Sequence, residues 1–206
     1  GEDDFAALRS LVAAARERGI PTVFWNKEDP VHVKRFLRAA MQCDHVFTTD
    51  AGLLGHYLRE GRERVRSASA LPFFADLALH NPVQRPTALG DPGVMYAGTY
   101  YGDRYADHSK ELTMLLRSAL PLGLTIYDRQ FDDAESPYRF PAEFRRNVRG
   151  ALPYRSVLAA YKSHLANLNV NSVTDSASMF SRRVVEVAAS GGVVLSGPGR
   201  GGTETF

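Results

Sequence analysis

The runs Pro21-Thr22-Val23-Phe24-Trp25 and His45-Val46-Phe47-Thr48-Thr49 decide the fold. Both are short, rich in β-branched and aromatic residues, and closed by polar ones, so both read as buried strands. Between them Val33, Phe36, Leu37, Ala40 and Met41 recur at helical spacing. Asp29-Pro30 reads as the start of that helix, with Asp29 as N-cap and Pro30 at the first helical position. Upstream, Phe5, Leu8, Val12 and Ala15 mark a helix that stops at Gly19. Downstream, Asp50 caps a third helix with an inner face of Leu53, Leu54, Tyr57 and Leu58, ending at Gly61, and a weak strand follows around Val65. Helix and strand alternate throughout, which is the pattern of a parallel sheet covered by helices.

Between residues 71 and 92 the regularity lapses, with prolines at 72, 82, 86 and 92, and this stretch reads as a linker. The alternation then restarts. Val94-Met95-Tyr96-Ala97 is a strand and Gly98-Thr99-Tyr100-Tyr101-Gly102 its loop. A helix follows from about Ser109 through Leu112, Leu115, Leu116 and Ala119, and Leu124-Thr125-Ile126-Tyr127 is the next strand. After an irregular segment, 128–141, come a short strand near Val148 and a helix marked by Val157, Ala160 and Tyr161. Leu168-Asn169-Val170-Asn171, a helix over 182–190 and the strand Val193-Val194-Leu195 complete the pattern. The expected fold class is therefore α/β, with two Rossmann-like parallel-sheet domains whose strands turn their carboxyl ends to one cleft.

The bulk composition narrows the functional classes. At 206 residues, 44% hydrophobic and 23% charged, the chain has the apolar material for a core, which excludes a disordered chain. A net charge of +2 with scattered basic residues makes no demand for nucleic acid. The sole cysteine, Cys43, excludes a disulfide framework and a zinc cluster, and a reducing, cytoplasmic setting is expected. No apolar run approaches the roughly 18 residues of a membrane span. The acidic start Gly1-Glu2-Asp3-Asp4 has the wrong chemistry for a signal peptide, and both ends of the chain read as cut.

Strand carboxyl ends are where ligands bind in such sheets, and four of them carry candidate residues. The loop opening at Gly98 can let the backbone approach an anion, with Arg104 and Lys110 nearby to neutralise it; a tight turn with two solvated cations is the plainer alternative. The run 171–183 carries Ser176, Ser178, Met179, Phe180 and Arg182 into a helix that bears Glu186. Hydroxyls and amides there suit a phosphate. Arg182 and Glu186 have the spacing of an exposed ion pair, yet Val184, Val185, Val187 and Ala188 make a carboxylate on this helix a candidate for a specific task. Gly197-Pro198-Gly199-Arg200-Gly201-Gly202 lacks the spacing of a dinucleotide fingerprint. In the first half, Trp25-Asn26-Lys27-Glu28-Asp29-Pro30-Val31-His32 hangs from a strand end. Glu28 and His32 are its candidates for acid–base work, while Asp29 and Pro30 read as a helix cap. His45, His56, His80, His108 and His164 have no partner pattern and read as surface or packing residues. No cluster has metal-ligand spacing, so no metal site is expected.

The stretch Asn169-Val170-Asn171-Ser172-Val173 and the block Ser178-Met179-Phe180-Ser181-Arg182-Arg183-Val184-Val185-Glu186-Val187-Ala188-Ala189-Ser190-Gly191 resemble the CgeB-like, spore-maturation type glycosyltransferases. Trp25-Asn26-Lys27-Glu28-Asp29-Pro30, Val46-Phe47-Thr48-Thr49-Asp50, Leu71-Pro72-Phe73, His80-Asn81-Pro82-Val83, Tyr127-Asp128-Arg129 and Leu152-Pro153-Tyr154 extend the resemblance over nearly the whole chain. It implies a GT-B architecture, with residues 1–85 as part of an acceptor-side domain plus linker and 86–206 as an incomplete nucleotide-sugar-binding domain. It also implies that Glu186 binds the nucleotide ribose, that Arg104 and Lys110 neutralise the diphosphate, and that Tyr154 lies near the base. Where some related enzymes carry a further glutamate this chain has Ser178, which leaves the sugar contact and the stereochemical outcome open. The function so implied is metal-independent transfer of a sugar from a nucleoside-diphosphate sugar, with UDP as the expected carrier. The donor is a co-substrate rather than a cofactor, and the acceptor is a glycan, protein or small molecule. A nucleotide-sugar epimerase or hydrolase on the same fold, and a non-catalytic sugar-nucleotide-binding module, are the alternatives.

Overall fold

A computed structural model describes residues 5–83 and 93–205. Of the expected linker, 84–92 lies outside the described residues. The chain divides into two units, one of Gly1–Phe73, Val173–Phe180 and Gly199–Phe206, the other of Phe74–Ser172 and Ser181–Pro198. Residues 173–180 and 199–206 thus group with the first half, whereas the sequence was read as one domain over 86–206.

The first unit is built on three parallel strands in the order β1-β2-β3: β1 (Val23–Asn26), β2 (His45–Thr48) and β3 (Ser67–Ala70). Helices α1 (Ala6–Glu17), α2 (Val33–Ala40) and α3 (Leu54–Glu60) accompany them. Ala40, Val46, Tyr57 and Val65 form the buried cluster, with Phe24, Leu37 and Leu53 packed against it. Two local expectations are corrected. The third strand begins at Ser67, and Val65 is instead a core residue wedged under Gly61, where a Cβ would lie 2.3 Å from Val65 Cγ2. Leu58, expected on the inner face of α3, is exposed.

A larger correction concerns Asp29. Helix α2 starts at Val33 with His32 as its N-cap, and the Asp29–Pro30 peptide is cis. Asp29 is fully buried, and its carboxylate accepts hydrogen bonds from Asn26 Nδ2 (2.7 Å), Thr48 Oγ1 (2.6 Å) and Tyr57 Oη (2.7 Å). Three donors from β1, β2 and α3 therefore hold this side chain, and none of the helix amides does. Burial pushes the Asp29 carboxyl above its ordinary value, against the pull of the Thr48 and Tyr57 hydrogen bonds. Asp44 shows the opposite case. Thr22 donates to it from both its amide and its hydroxyl, Arg16 adds a third bond at 3.2 Å, and the carboxyl is held at about 2.

The second unit contains β4 (Val94–Gly98), β5 (Leu124–Asp128), β6 (Val148–Arg149), β7 (Ala166–Asn169) and β8 (Val194–Ser196), all parallel, in the order β6-β5-β4-β7-β8. Alternation along β4 explains how its helices are sorted. Val94 and Tyr96 pack with Leu112 and Leu116 of α4 (Ala106–Ala119). Met95, on the opposite face, packs with Leu158 and Tyr161 of α5 (Tyr154–Ser163) and Val187 of α6 (Arg182–Ala189). Gly123, at φ +77°, turns the chain from the end of α4 into β5, a conformation that favours glycine. The strand order reverses at β4, with β5 on one side and β7 on the other, and the carboxyl ends of these strands are where such a sheet opens a crevice. Among the described residues no helix is long and apolar enough to cross a membrane. A short helix, α7 (Arg200–Thr205), belongs to the first unit.

Candidate functional site

The second unit holds a pocket of about 240 Å³ at that crevice. Gly98 ends β4 at its rim, Arg129 follows β5, Tyr154 opens α5, and Arg182, Arg183 and Glu186 come from the first turns of α6. Glu186 is only 4% exposed. Its Oε1 forms an ion pair with Arg182 Nε at 2.8 Å and accepts a hydrogen bond from Tyr154 Oη at 3.0 Å, with His80 Nε2 at 3.6 Å. Among the described residues Oε2 has no hydrogen-bond partner. Glu186 therefore departs from the exposed ion pair that its spacing suggests. The Arg182 pair exists at its helical spacing, and the carboxylate is buried on the lining of a pocket rather than displayed on a solvated face.

Charge in this pocket is predominantly positive. Arg182 is paired with Glu186 and sits 5.9 Å from the Tyr154 ring. Arg183 donates to the Ala97 carbonyl (2.6 Å) and to Asn169 Oδ1 (3.3 Å), and lies 4.9 Å from the Tyr96 ring. Among the described residues neither Arg183 nor Arg129 has a carboxylate partner. Burial raises the Tyr96 phenol while Arg183 pulls it down, and burial together with Arg183 lowers His108. The Tyr154 phenol is pushed up by burial and by the Glu186 carboxylate, which keeps it a hydrogen-bond donor at neutral pH. Gly98 is required by close packing: a Cβ there would lie 2.8 Å from Tyr96 Oη and 3.1 Å from Arg183 Nη2.

The structure does not bring Arg104 and Lys110 to this pocket. They line a separate one of about 560 Å³ with Tyr100, Tyr101 and Tyr138, and Arg104 Nη1 donates to Tyr138 Oη at 2.5 Å. The turn Gly102–Tyr105 takes them there, with Tyr101 packed edge-on against both Tyr105 and Tyr138. Ser176, Ser178, Met179 and Phe180 lie in the first unit. Ser176 Oγ donates to Asp50 Oδ1 (2.8 Å) and accepts the Met179 amide (3.1 Å). Ser178 Oγ donates to the Thr49 carbonyl (2.9 Å) and accepts the Ala51 amide (2.8 Å). Phe180 is buried, and Met179 lies against Gly201, so close that a Cβ there would be 2.4 Å from the Met179 carbonyl oxygen. These hydroxyls are engaged in joining 173–180 to the loop after β2.

Glu28 and His32 occupy the loop after β1. Glu28 is exposed and His32 half-buried, and the Glu28 carbonyl accepts the His32 amide at 2.9 Å. Among the described residues neither side chain has a hydrogen bond. No group of three His, Cys, Asp or Glu among the described residues is placed to hold a metal ion. Sequence reasoning missed His80, Arg129 and Arg183. His80 was set aside for want of a neighbouring partner, yet it is 2% exposed and beside Glu186. The segment His80-Asn81-Pro82-Val83 carries part of the family resemblance, but a lone histidine in an irregular segment does not announce its burial.

Two parallel α/β sheets of this kind, with a buried carboxylate in an arginine-lined crevice at the strands' carboxyl ends, define a ligand-binding class of α/β fold. Residues 110–206 match the glycosyl transferase-like family profile, from α4 through α6 and α7. Among solved structures the chain is similar to an α,α-trehalose-phosphate synthase (UDP-forming) from Burkholderia vietnamiensis. The TM-score is 0.51 at 12% identity, over 96% of this chain and 57% of that one. It is also similar to an α,α-trehalose 6-phosphate synthase from Burkholderia multivorans, with a TM-score of 0.47 at 12% identity, over 93% of this chain and 53% of that one. At such identity the first likeness is one of fold, and the chain spans little more than half the length of these proteins. No curated protein sequence matches the chain significantly.

Proposed function

We propose that this chain is part of a glycosyltransferase that moves a sugar from a nucleoside-diphosphate sugar to an acceptor, and that the Glu186 pocket receives the donor nucleotide. The observation that carries this reading is the buried Glu186 carboxylate, held through one oxygen and open at the other, in a pocket with three arginines. Glu186 Oε2 accepts from the ribose hydroxyls. Arg129 and Arg183 face the diphosphate, the part first expected of Arg104 and Lys110. Fixed cations there stabilise the negative charge that develops as the nucleoside diphosphate departs, so the transfer needs no metal. The resemblance to the CgeB-like enzymes supports the same assignment, and the free, buried thiol of Cys43 suits a reducing, cytoplasmic setting. The structurally similar synthase is described as UDP-forming, which makes uridine diphosphate the first ligand to test.

The test is thermal unfolding and calorimetric titration with a panel of nucleoside diphosphates and nucleotide sugars, with and without chelator. A specific ligand at a hundred times its Kd raises stability by about 2.7 kcal/mol. Uridine diphosphate is expected to stabilise the chain, and chelator to leave its affinity unchanged. A panel with no stabilising member would overturn the reading, and loss of binding on chelation would overturn metal independence.

Glu28 and His32 are assigned to the acceptor side, as a contact or as the proton acceptor. Their support is a loop at the carboxyl end of β1 that presents both side chains without hydrogen-bond partners among the described residues. Loss of a general base typically lowers turnover by 10²–10⁴-fold. In the full-length enzyme, Glu28→Gln or His32→Ala is expected to lower kcat at unchanged donor affinity; unchanged turnover in both would remove the assignment.

A further inference from the structure

We infer that His80 is a positioning residue of the donor site, acting on Glu186 through Tyr154; the inference rests on the reading of Glu186 as the ribose acceptor. His80 lies 106 residues before Glu186 in the chain, in the segment that precedes β4, and is 2% exposed. Its ring is anchored at Nδ1, which lies 3.2 Å from the Asp76 amide and 3.1 Å from the Asp76 carbonyl. The other nitrogen, Nε2, is 3.1 Å from Tyr154 Oη and 3.6 Å from Glu186 Oε1. The Tyr154 ring stands edge-on to the imidazole, with centroids 6.2 Å apart.

Counting donors fixes the direction of this relay. Tyr154 Oη has one proton, and it goes to Glu186 Oε1. The phenol oxygen can therefore only accept from His80, so Nε2 carries a proton. In the neutral ring Nδ1 is then an acceptor, and the Asp76 amide supplies its hydrogen bond. In the imidazolium Nδ1 carries a proton too and donates to the Asp76 carbonyl. Both states leave Nε2 donating toward Tyr154 and Glu186, so the arrangement does not depend on which is populated.

The consequence is directional control of a carboxylate. Arg182, Tyr154 and His80 all converge on Oε1, and Oε2 is the oxygen left to a ligand. Without His80, Tyr154 loses the donor that holds its oxygen, and its hydroxyl is free to turn away from Glu186. Arg182, which is exposed, does not by itself fix the carboxylate plane. A ligand diol then meets a carboxylate that must be reoriented on binding, which lowers affinity through lost preorganisation.

The experiment titrates wild type, His80→Ala, His80→Gln, Glu186→Ala and the double variant His80→Ala/Glu186→Ala with uridine diphosphate and its 2′,3′-dideoxy analogue. Loss of one neutral hydrogen bond corresponds to a roughly three- to tenfold weakening, and this is the effect expected of His80→Ala on uridine diphosphate. Affinity for the dideoxy analogue should be unchanged, His80→Gln should restore most of the loss through its amide donor, and His80→Ala should have no further effect in the Glu186→Ala background. If His80→Ala fails to fold, His80→Leu removes the same donor while filling its space and carries the same expectations. Equal weakening toward both ligands, full wild-type affinity, or an effect that persists without Glu186 would each overturn the role of His80 while leaving the donor-site reading intact. A wild type that binds neither ligand would overturn both.

Discussion

Glu186→Ala is expected to weaken uridine diphosphate binding by about ten- to a hundredfold, the equivalent of the roughly 1.5–3 kcal/mol contributed by a charged hydrogen-bond acceptor. The carboxylate is buried, its Oε1 is already ion-paired with Arg182 and hydrogen-bonded to Tyr154, and among the described residues Oε2 is the acceptor left in a pocket otherwise dominated by cations. A ribose diol offers two donors and no charge, so an arginine cannot replace this oxygen. The fold should survive the change. Arg182 and Tyr154 are substantially exposed and can turn to water, and only His80 is left without access to it. Calorimetric titration of wild type and variant with uridine diphosphate and its 2′,3′-dideoxy analogue separates the possibilities. A variant that binds as tightly as wild type, or still distinguishes the two ligands as strongly, would make Glu186 a structural ion-pair residue and move the donor site elsewhere.

Asp29→Ala carries the largest expected effect on stability, a loss of about 3–5 kcal/mol. The substitution strips the acceptor from Asn26 Nδ2, Thr48 Oγ1 and Tyr57 Oη together, in a region where Asn26, Thr48 and Tyr57 are all buried. Each orphaned donor forfeits its hydrogen bond with no water to replace it, and the penalties overlap because Asn26 and Tyr57 also bond each other at 2.9 Å. The pH dependence has a definite sign. Burial raises the folded-state pKa of Asp29 above its ordinary 3.8. The stability it contributes is therefore fully present below about 3.8 and is lost as pH rises through the folded-state pKa. The difference between wild type and Asp29→Ala should accordingly be greatest in acid and narrow toward neutrality. Urea unfolding of both chains at several pH values measures this; equal midpoints throughout would show that the three donors find other acceptors.

Much of the fold was legible because its signals are local. Apolar runs such as 45–48 and 124–127 mark strands, and the helical repeat of Leu112 and Leu116 marks α4; both report only the residues within a few positions. The same locality explains why Glu186 stood out: a carboxylate amid Val184, Val185, Val187 and Ala188 is an anomaly visible within one helix. Locality also limits what such signals convey. Asp29-Pro30 has the composition of a helix start, but its carboxylate went to donors on β1, β2 and α3, the last of them 28 residues away. Ser176 and Ser178 have the composition of a phosphate loop, and their hydroxyls instead meet Asp50 and Thr49, over 120 residues distant in sequence. Arg104 and Lys110 follow β4, but a tyrosine-lined turn carries them into a pocket other than that of Glu186.

The residues alone determined the α/β class, the parallel sheets and the helix that carries Glu186, because hydrophobic periodicity is a property of neighbours along the chain. Folding decided the partners. His80, Tyr154 and Arg182 gather on one carboxylate oxygen, and Arg129 and Arg183 stand at the same crevice without acidic partners among the described residues. No spacing rule links positions 80, 129, 154 and 186. Their meeting depends on strand order, on β4 taking β5 on one side and β7 on the other, and on which face of the sheet each helix covers. Hydrogen bonds and ion pairs act over a few ångströms of space whatever the distance along the chain, so the chemistry of this site exists only once the sheet has brought those positions together.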